Sequence, residues 1–281
     1  MTTGTELLAK GVARLRAAGI EGATRDARWL LADALGVGAE RLTLVLPDPV
    51  SDAARARFDA AIEARSRHQP VAQIMGWRDF WGRRFRVTPD VLDPRPETET
   101  LIEAALQRSF ERVLDLGTGS GAILLSLLAE RADAQGVGVD ISAAALEIAA
   151  QNAATLGVAD RVRLIRSDWF ASVAGQFDLI VSNPPYIAAS ELDALSPELR
   201  LWEPRKALVP DHDDGSGLAA YRHICAHAPH YLTGDGWLMV EIGAAQARGV
   251  AALFRHSGFC NIAVIADLSG HDRVVIGQHG G

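Results

Sequence analysis

Apolar residues recur at helical spacing through the first 68 residues of the chain. The period predicts three helices with buried stripes, over about 5–18, 24–35 and 52–67. Thr24 and Ser51 stand where side chains cap the second and third helices, and Gly36 stands where the second should end. The pattern indicates a small helical bundle that binds or positions something, because no catalytic constellation occurs in it.

The pattern changes between residues 74 and 92, where Phe80 and Phe85 flank Gly82 with arginines between them. Two short apolar runs around a glycine predict a β-hairpin. The segment Pro94-Arg95-Pro96 that follows is stiff and extended, and we place the domain junction there. The expected division is a helical substrate-binding domain at 1–73, a hairpin linker at 74–96 and a larger domain at 97–281.

From residue 97 onward, short apolar runs alternate with helical patterns. Strands are predicted at 112–116, 136–139, 162–165, 177–182, 237–242, 261–266 and 273–276. Helices are predicted at 97–108, from the glycines to about 132, and at 142–156 and 218–228. This alternation is typical of an α/β domain with a mostly parallel seven-stranded sheet. Ligands of such sheets bind beyond the carboxyl ends of the strands.

A glycine-rich loop follows the first strand of this region. Its residues are Gly117, Thr118, Gly119, Ser120 and Gly121. Glycines let the backbone turn sharply and let a ligand approach, and the next helix offers free N–H groups. Asp140 ends the second strand, where a carboxylate can accept hydrogen bonds from ribose hydroxyls. The loop and Asp140 fit a nicotinamide dinucleotide as well as S-adenosylmethionine.

Asp168 and Trp169 end the third strand of the series. A carboxylate and an indole side by side can hold an adenine by hydrogen bonding and packing. In line with the glycine loop and Asp140, this pair favours an adenine site over a loop acid with a core tryptophan.

The most specific motif is Asn183-Pro184-Pro185-Tyr186, at the end of the fourth strand. Two prolines block further strand pairing and fix an extended turn. Asn183 Oδ1 and a backbone carbonyl, that of Pro184, can accept both N–H hydrogens of a planar amide or amine. Tyr186 can pack on that planar group. The predicted chemistry is N-methylation by positioning and by hydrogen bonds that strengthen as charge develops, with no metal and no covalent intermediate.

With these motifs the chain resembles the HemK/PrmC family of peptide chain release factor N5-glutamine methyltransferases, which have a class I, Rossmann-like methyltransferase core. The resemblance includes three further segments: Phe80-Trp81-Gly82, Pro94-Arg95-Pro96-Glu97-Thr98-Glu99 and Trp202-Glu203-Pro204. It spans nearly the whole chain. Gln73 and Asp93 depart from the family pattern, where Tyr and Ile are expected.

The resemblance implies the substrate, the glutamine of the Gly-Gly-Gln motif in class 1 release factors, and S-adenosyl-L-methionine as cofactor. It implies cofactor contacts at Gly117–Gly121, Asp140, Trp169 and Asn183, to which Asp168 is added from the strand ends. It implies that the target glutamine binds Asn183, Pro184, Pro185 and Tyr186, with Asn183, Pro184 and Tyr186 catalytic. The N-terminal helices are expected to help hold the release factor.

Charge and cysteine content limit the alternatives. The net charge is −7, divided as +3 over residues 1–90 and −10 over residues 91–281. An acidic large domain argues against a duplex nucleic acid as partner. Two cysteines cannot form a disulfide framework, and no signal peptide or membrane-spanning run is evident. We expect a cytoplasmic monomer.

Two clusters resemble metal sites only weakly, namely His223, Cys225 and His227, and the acidic run Asp211, Asp213 and Asp214. No metal is predicted. Three other functions remain open: a glutamine methyltransferase acting on a ribosomal protein, an adenine-N6 methyltransferase acting on a flipped base, and a non-catalytic binding module on the same fold.

Overall fold

The computed structural model describes residues 2–280 of the chain. In chain order, the helices are α1 Gly4–Ala17, α2 Ala23–Leu35, α3 Leu42–Val45, α4 Asp52–Ser66, α5 Val71–Met75, α6 Glu99–Leu106, α7 Ala122–Glu130, α8 Ala143–Thr155, α9 Pro197–Trp202, α10 Arg205–Leu208, α11 Ala219–His227 and α12 Ala247–His256. The strands are β1 Trp77–Phe80, β2 Arg83–Arg86, β3 Arg112–Leu116, β4 Gln135–Asp140, β5 Val162–Arg166, β6 Phe177–Ser182, β7 Leu232–Glu241, β8 Phe259–Ala266 and β9 Asp272–His279.

These elements form two compact units. The first contains the chain up to Trp77 together with Leu195–Trp202, and the second contains Arg78–Ala194 with the chain from Glu203 onward. The helix α9 therefore belongs to the helical unit, although the chain on both sides of it belongs to the other.

The helical unit follows the predicted caps with one exception. Ser51 caps α4 by accepting the Ala54 N–H at 3.2 Å, and Gly36 ends α2 with a φ of 68°. The prediction for Thr24 is wrong, because α2 begins at Ala23 behind the left-handed Gly22 and has no side-chain cap. Thr24 instead accepts a hydrogen bond from Arg16.

The helix α9 is held within the first unit by polar contacts with α4 and α5. Gln73 Nε2 donates to the Trp202 carbonyl at 3.0 Å, and Trp202 Nε1 donates to the Arg67 carbonyl at 2.9 Å. The guanidinium of the buried Arg65 lies between Asp26, at 2.8 Å, and Glu198. The departure from the family pattern at Gln73 thus has a local structural role, since its amide anchors α9.

The predicted hairpin is present as β1 and β2. The two residues between the strands, Trp81 and Gly82, have φ values of 49° and 67°, as a tight hairpin turn requires. Phe80 and Phe85 are buried with ring centroids 6.0 Å apart.

The second unit contains a seven-stranded sheet in the order β5-β4-β3-β6-β7-β9-β8. Pairing is parallel from β5 to β7, and β9 runs antiparallel to both of its neighbours. Alternate residues of β3 face two different cores: Val113 packs on one side, and Leu114 and Leu116 on the other. The mostly parallel α/β sheet predicted from the sequence is confirmed.

Chain order reverses between β3 and β6, because the chain moves outward through β4 and β5 and then returns beside β3. Ligands of open α/β sheets bind at such a switch point, outside the carboxyl ends of the strands. The loops that leave β3 and β6 there are the glycine loop and the Asn183-Pro184-Pro185-Tyr186 motif.

Candidate active site

A cavity of about 790 Å³ opens at the carboxyl edge of the sheet, entirely within the second unit. Its lining includes most of the predicted site residues, namely Gly117, Thr118, Gly119, Ser120, Asp140, Asp168, Trp169, Asn183 and Pro185. Gly121, Pro184 and Tyr186 are not among the lining residues. Residues that the sequence places at the ends of four different strands therefore lie around one cavity in the structure.

The glycine loop has the backbone form that its sequence predicts. Gly117, Gly119 and Gly121 all have positive φ, at 72°, 54° and 80°. A Cβ at Gly117 or Gly119 would meet no atom within 4 Å, so the space above these two positions is open to a ligand. A Cβ at Gly121 would lie 2.7 Å from Leu125, so this glycine allows close packing of α7.

Two carboxyl groups accept hydrogen bonds from this loop. Thr118 Oγ1 donates to Asp115 at 2.7 Å, and Gly119 N–H donates to Asp140 Oδ2 at 2.9 Å. Asp140 Oδ1 accepts the Ser142 N–H at 2.9 Å. Since each carboxylate oxygen can accept more than one hydrogen bond, Asp140 keeps acceptor capacity toward the cavity that it lines.

Burial controls the charge of both groups. Burial, together with the nearby Asp140, raises the pKa of Asp115 to about 7, and the hydrogen bond from Thr118 acts in the opposite direction. Burial also raises the pKa of Asp140, which the Ser142 and Gly119 amides partly offset. Asp115 Oδ1 is buried without a well-formed hydrogen bond among the described residues. Such an acceptor favours a cationic or N–H group nearby.

Asp168 and Trp169, which were predicted to hold an adenine, follow the end of β5. Trp169 is half-buried with a φ of 47°, and its carbonyl accepts a hydrogen bond from Ser167 Oγ at 2.8 Å. The indole lies 6.1 Å from the His223 ring, which also lines the cavity. Asp168 is exposed at the rim.

His223 belongs to an aromatic stack rather than to a ligand cluster. Its ring lies 4.3 Å from that of His227, and burial, with His227, lowers the pKa of His223. Cys225 is buried, which raises its pKa to about 12. Across residues 2–280, no group of three or more His, Cys, Asp or Glu side chains is arranged to hold a metal ion.

The Asn183 motif is fixed at both ends. Ser182 Oγ donates to the Leu116 carbonyl at 2.7 Å, which ties β6 to β3 at the edge of the sheet. The Tyr186 carbonyl accepts a hydrogen bond from Gln246 Nε2 at 2.9 Å, and the Ile187 N–H donates to the Leu208 carbonyl at 2.9 Å. The loop is therefore held in place without a bound substrate.

The two polar atoms of the Asn183 side-chain amide differ in their hydrogen bonding. Its Nδ2 donates to Thr98 Oγ1 at 3.4 Å, whereas Oδ1 is buried without a hydrogen-bond partner among the described residues. Leaving a buried acceptor unpaired costs about 1–3 kcal/mol. An unpaired acceptor at the end of a strand, in a residue that lines the cavity, indicates a site for an N–H donor.

Two family profiles match the chain, the PrmC N-terminal domain over residues 6–76 and the methyltransferase small domain over residues 91–199. The release factor glutamine methyltransferase of Cereibacter sphaeroides is 58% identical over 270 residues, which cover 96% of this chain and 96% of that one. The protein of the same name from Agrobacterium fabrum is 43% identical over 282 residues, covering 98% and 96%. The chain belongs to the release factor glutamine methyltransferase family.

The fold of the chain is also similar to that of a solved methyltransferase structure. A methyltransferase from Pyrococcus furiosus matches with a TM-score of 0.54 and 17% identity, over 70% of this chain and 89% of that one. The methyltransferase fold expected from the sequence is confirmed. No helix in the described part of the chain is long and apolar enough to cross a bilayer.

Three polar residues of this family member were absent from the predicted site. Thr98 appears in the sequence analysis only within the segment from Pro94 to Glu99, and Asp115 and Glu241 fall only within the predicted strands 112–116 and 237–242. Glu241 ends β7 and is 2% exposed. The rule that found Asp140, an acid at the end of a buried strand, would also have found Glu241.

Proposed function

We propose that the chain transfers a methyl group from S-adenosyl-L-methionine to the N5 amide nitrogen of the glutamine in the Gly-Gly-Gln motif of class 1 peptide chain release factors. The observation that carries this is the buried Oδ1 of Asn183, which has no hydrogen-bond partner in the described part of the chain and lies at the switch point of a methyltransferase sheet. Family membership supports the choice of a protein glutamine as the acceptor.

The cavity fits the cofactor by the chemistry of its lining. The open space above Gly117 and Gly119 admits the ligand close to the backbone, and Asp140 offers acceptors to ribose hydroxyls. Trp169, with Asp168 at the rim, is suited to adenine. When bound, the cofactor supplies an electrophilic methyl group on a sulfonium.

The motif prepares the amide nitrogen for attack. Its lone pair is delocalised into the carbonyl, so the nitrogen is a weak nucleophile. Asn183 Oδ1 accepts one N–H and the Pro184 carbonyl the other, which favours a pyramidal nitrogen with its lone pair aimed at the methyl carbon. These bonds strengthen as positive charge develops on nitrogen, and this is how they lower the barrier.

In this proposal Tyr186 packs on the plane of the amide, and Pro185 lines the cavity beside it. With the cofactor bound, formation of the N–C bond would break the C–S bond of the sulfonium, and the nitrogen would then lose one proton to water. Because the methylated nitrogen is strongly acidic before that loss, no strong general base is needed.

We further propose that the three segments have the roles expected from the sequence. Residues 1–73 help hold the release factor, residues 74–96 form the linker between the two domains, and residues 97–281 carry out the methyl transfer. The acidic balance of the larger part disfavours a nucleic-acid substrate. We propose that the protein acts as a monomer in the cytoplasm, where release factors are found.

Mass spectrometry of a release factor incubated with this protein and S-adenosylmethionine tests the proposal. We expect one added methyl group on the Gly-Gly-Gln glutamine, and none on a release factor in which that glutamine is replaced by glutamate. Absence of methylation by a protein that still binds the cofactor would reject this substrate. The same assay on ribosomal proteins, and then on nucleic acid, would identify which alternative holds.

A further inference from the structure

Three side chains from distant parts of the chain meet beside the motif: Thr98, Asn183 and Glu241. In the β6–β7 register Ser182 pairs with Val240, so Asn183 and Glu241 follow side by side at the carboxyl edge. Asn183 Nδ2 donates to Thr98 Oγ1 at 3.4 Å, and the side chains of Thr98 and Asn183 are both hydrogen-bonding neighbours of the Glu241 carboxyl.

The Glu241 carboxyl is an expensive group to bury there. It is 2% exposed, and its Oε2 makes no well-formed hydrogen bond with the described residues. Arg273 is the opposite charge that acts on this carboxyl, but its Nε donates to Asp267 and its Nη1 to the Ile242 carbonyl. A buried acid without a dedicated cation costs stability. Packing alone therefore gives no reason for a carboxyl at this position.

The carboxyl does control which way the Asn183 amide faces. An asparagine amide can place either its oxygen or its nitrogen toward a given neighbour. A carboxylate attracts the NH₂ group and repels Oδ1, so it selects the orientation in which Nδ2 faces Thr98 and Glu241. In that orientation Oδ1 is left free, as the structure has it.

We propose that Glu241, together with Thr98, is a positioning residue that fixes the Asn183 amide with Oδ1 toward the substrate. The inference rests on the proposed function, because it takes Asn183 Oδ1 as the acceptor for the substrate N–H. Glu241 touches neither substrate nor cofactor in this account and acts through Asn183.

Titration of Glu241 gives the proposal a distinctive signature. Burial raises its pKa to about 7, and the Thr98 side chain is the strongest influence in the other direction. The other charged or titratable groups that act on this carboxyl or are acted on by it are Arg273 on β9, Glu97 before α6, Tyr186 after β6 and Tyr221 on α11. Protonated Glu241 offers an O–H that can donate to Asn183 Oδ1 and occupy it. The turnover number should therefore rise with pH through about 7 and then level.

The first test is a double-mutant cycle on the full-length protein with release factor as substrate. We expect Glu241→Gln to lower kcat about tenfold, the effect of roughly one neutral hydrogen bond, with cofactor affinity unchanged. It should also flatten the pH dependence of kcat near pH 7. In an Asn183→Ala background the same substitution should have no further effect, since its route is through Asn183.

Glu147→Gln is the matched control, because Glu147 is exposed on α8. It should leave kcat and its pH profile as they are. The positioning role is wrong if Glu241→Gln lowers kcat by the same factor in the wild type and in Asn183→Ala. It is also wrong if kcat of Glu241→Gln still rises with pH near pH 7.

The second test needs no substrate. Carbon-detected NMR of the side-chain carboxyl gives the pKa of Glu241 in the protein alone. Since Asn183 lowers that pKa, Asn183→Ala should raise it. Gln151→Ala, at an exposed position of α8, should leave the pKa of Glu241 unchanged. An unchanged pKa would overturn the coupling whatever the substrate is. A shifted pKa in a protein that methylates no release factor would reject the proposed substrate and leave the coupling standing.

Discussion

At the scale of single residues, burial without a full set of partners distinguishes the groups at the sheet edge. Asp115 and Glu241 are both buried carboxyls with raised pKa values, and Asn183 Oδ1 is a buried acceptor with no hydrogen-bond partner within residues 2–280. Each costs stability in the protein alone. Such local conflicts with good packing occur mainly at functional sites.

The raised pKa of Asp115 makes stability depend on pH. Its pKa is about 7 in the folded protein against 3.8 for the unperturbed group, so the folded form holds the proton more tightly. The protonated carboxyl therefore favours the folded state. This contribution is fully present below about pH 4 and is lost as the pH rises through about 7. Asp115→Asn keeps an acceptor for Thr118 but does not titrate. We expect the free energy of unfolding of the wild type to fall by about 4 kcal/mol relative to this variant between pH 4 and pH 8.

Urea unfolding of both proteins across this pH range, without cofactor, measures that difference. Asp160→Asn, at an acid exposed on the surface, should show no such trend. A constant difference between wild type and Asp115→Asn would mean that Asp115 has an ordinary pKa.

At the scale of elements, the loop that carries the motif is shaped by close backbone packing. Gly217 has a φ of 67°, and a Cβ there would lie 2.3 Å from the Tyr186 carbonyl. Gly258 has a φ of 84° with no atom within 4 Å of such a Cβ. Both positions impose backbone strain on alanine, but only Gly217 contacts the motif.

We therefore expect Gly217→Ala to lower kcat for glutamine methylation at least tenfold by displacing the motif, since small misplacements of catalytic groups are costly. Gly258→Ala should cost about 1 kcal/mol of stability and leave kcat unchanged. Steady-state kinetics and thermal unfolding of both variants give the comparison. Equal kinetic effects would show that backbone strain, rather than the contact with Tyr186, is responsible.

The bounds of most of the parallel strands could be predicted from the sequence. The strands β3 and β6 were predicted to the residue, and β4 and β5 to within one residue at either end, because buried parallel strands are short apolar runs between glycines and polar residues. The predicted start of β7 was five residues late, since its first half is polar and bulged.

The helix α12 was not predicted. Its N-cap, Gln246, makes no side-chain cap, and the Gly243-Ala244-Ala245 segment before it carries no start signal. No helix is predicted at α9 either. Its anchors at Gln73 and Arg67 lie more than 120 residues earlier in the chain, which no local pattern reveals. The meeting of Thr98, Asn183 and Glu241 depends in the same way on strand register and on where α6 begins.

At the scale of the whole molecule, the helical unit is assembled from segments far apart in the chain. Asp26 on α2, Arg65 on α4 and Glu198 on α9 join in one ion group, and the first two side chains are each 3% exposed. Removing one partner of a buried pair leaves the other charge uncompensated, which typically costs 3–5 kcal/mol. Glu198 remains as a partner for Arg65, so the loss should lie near the lower value.

We expect Asp26→Ala to lower the free energy of unfolding of the helical unit by about 3 kcal/mol. Asp59→Ala is the control, because Asp59 is exposed and lies only at the 4.0 Å limit from Arg55. Hydrogen exchange resolved by peptide should show faster exchange in α2, α4 and α9 for Asp26→Ala. Protection unchanged in these helices would mean that the ion group contributes little to the fold.

The central claim is that Asn183 Oδ1 binds the substrate N–H most strongly in the transition state. Single-turnover methylation of release factor by Asn183→Ala, together with calorimetric binding of S-adenosylmethionine, tests it directly, with Gln151→Ala as control. We predict a loss in the rate of methyl transfer of about 100-fold or more with little change in cofactor affinity. Equal losses in rate and in affinity would contradict the account, because Asn183 would then be chiefly a cofactor ligand.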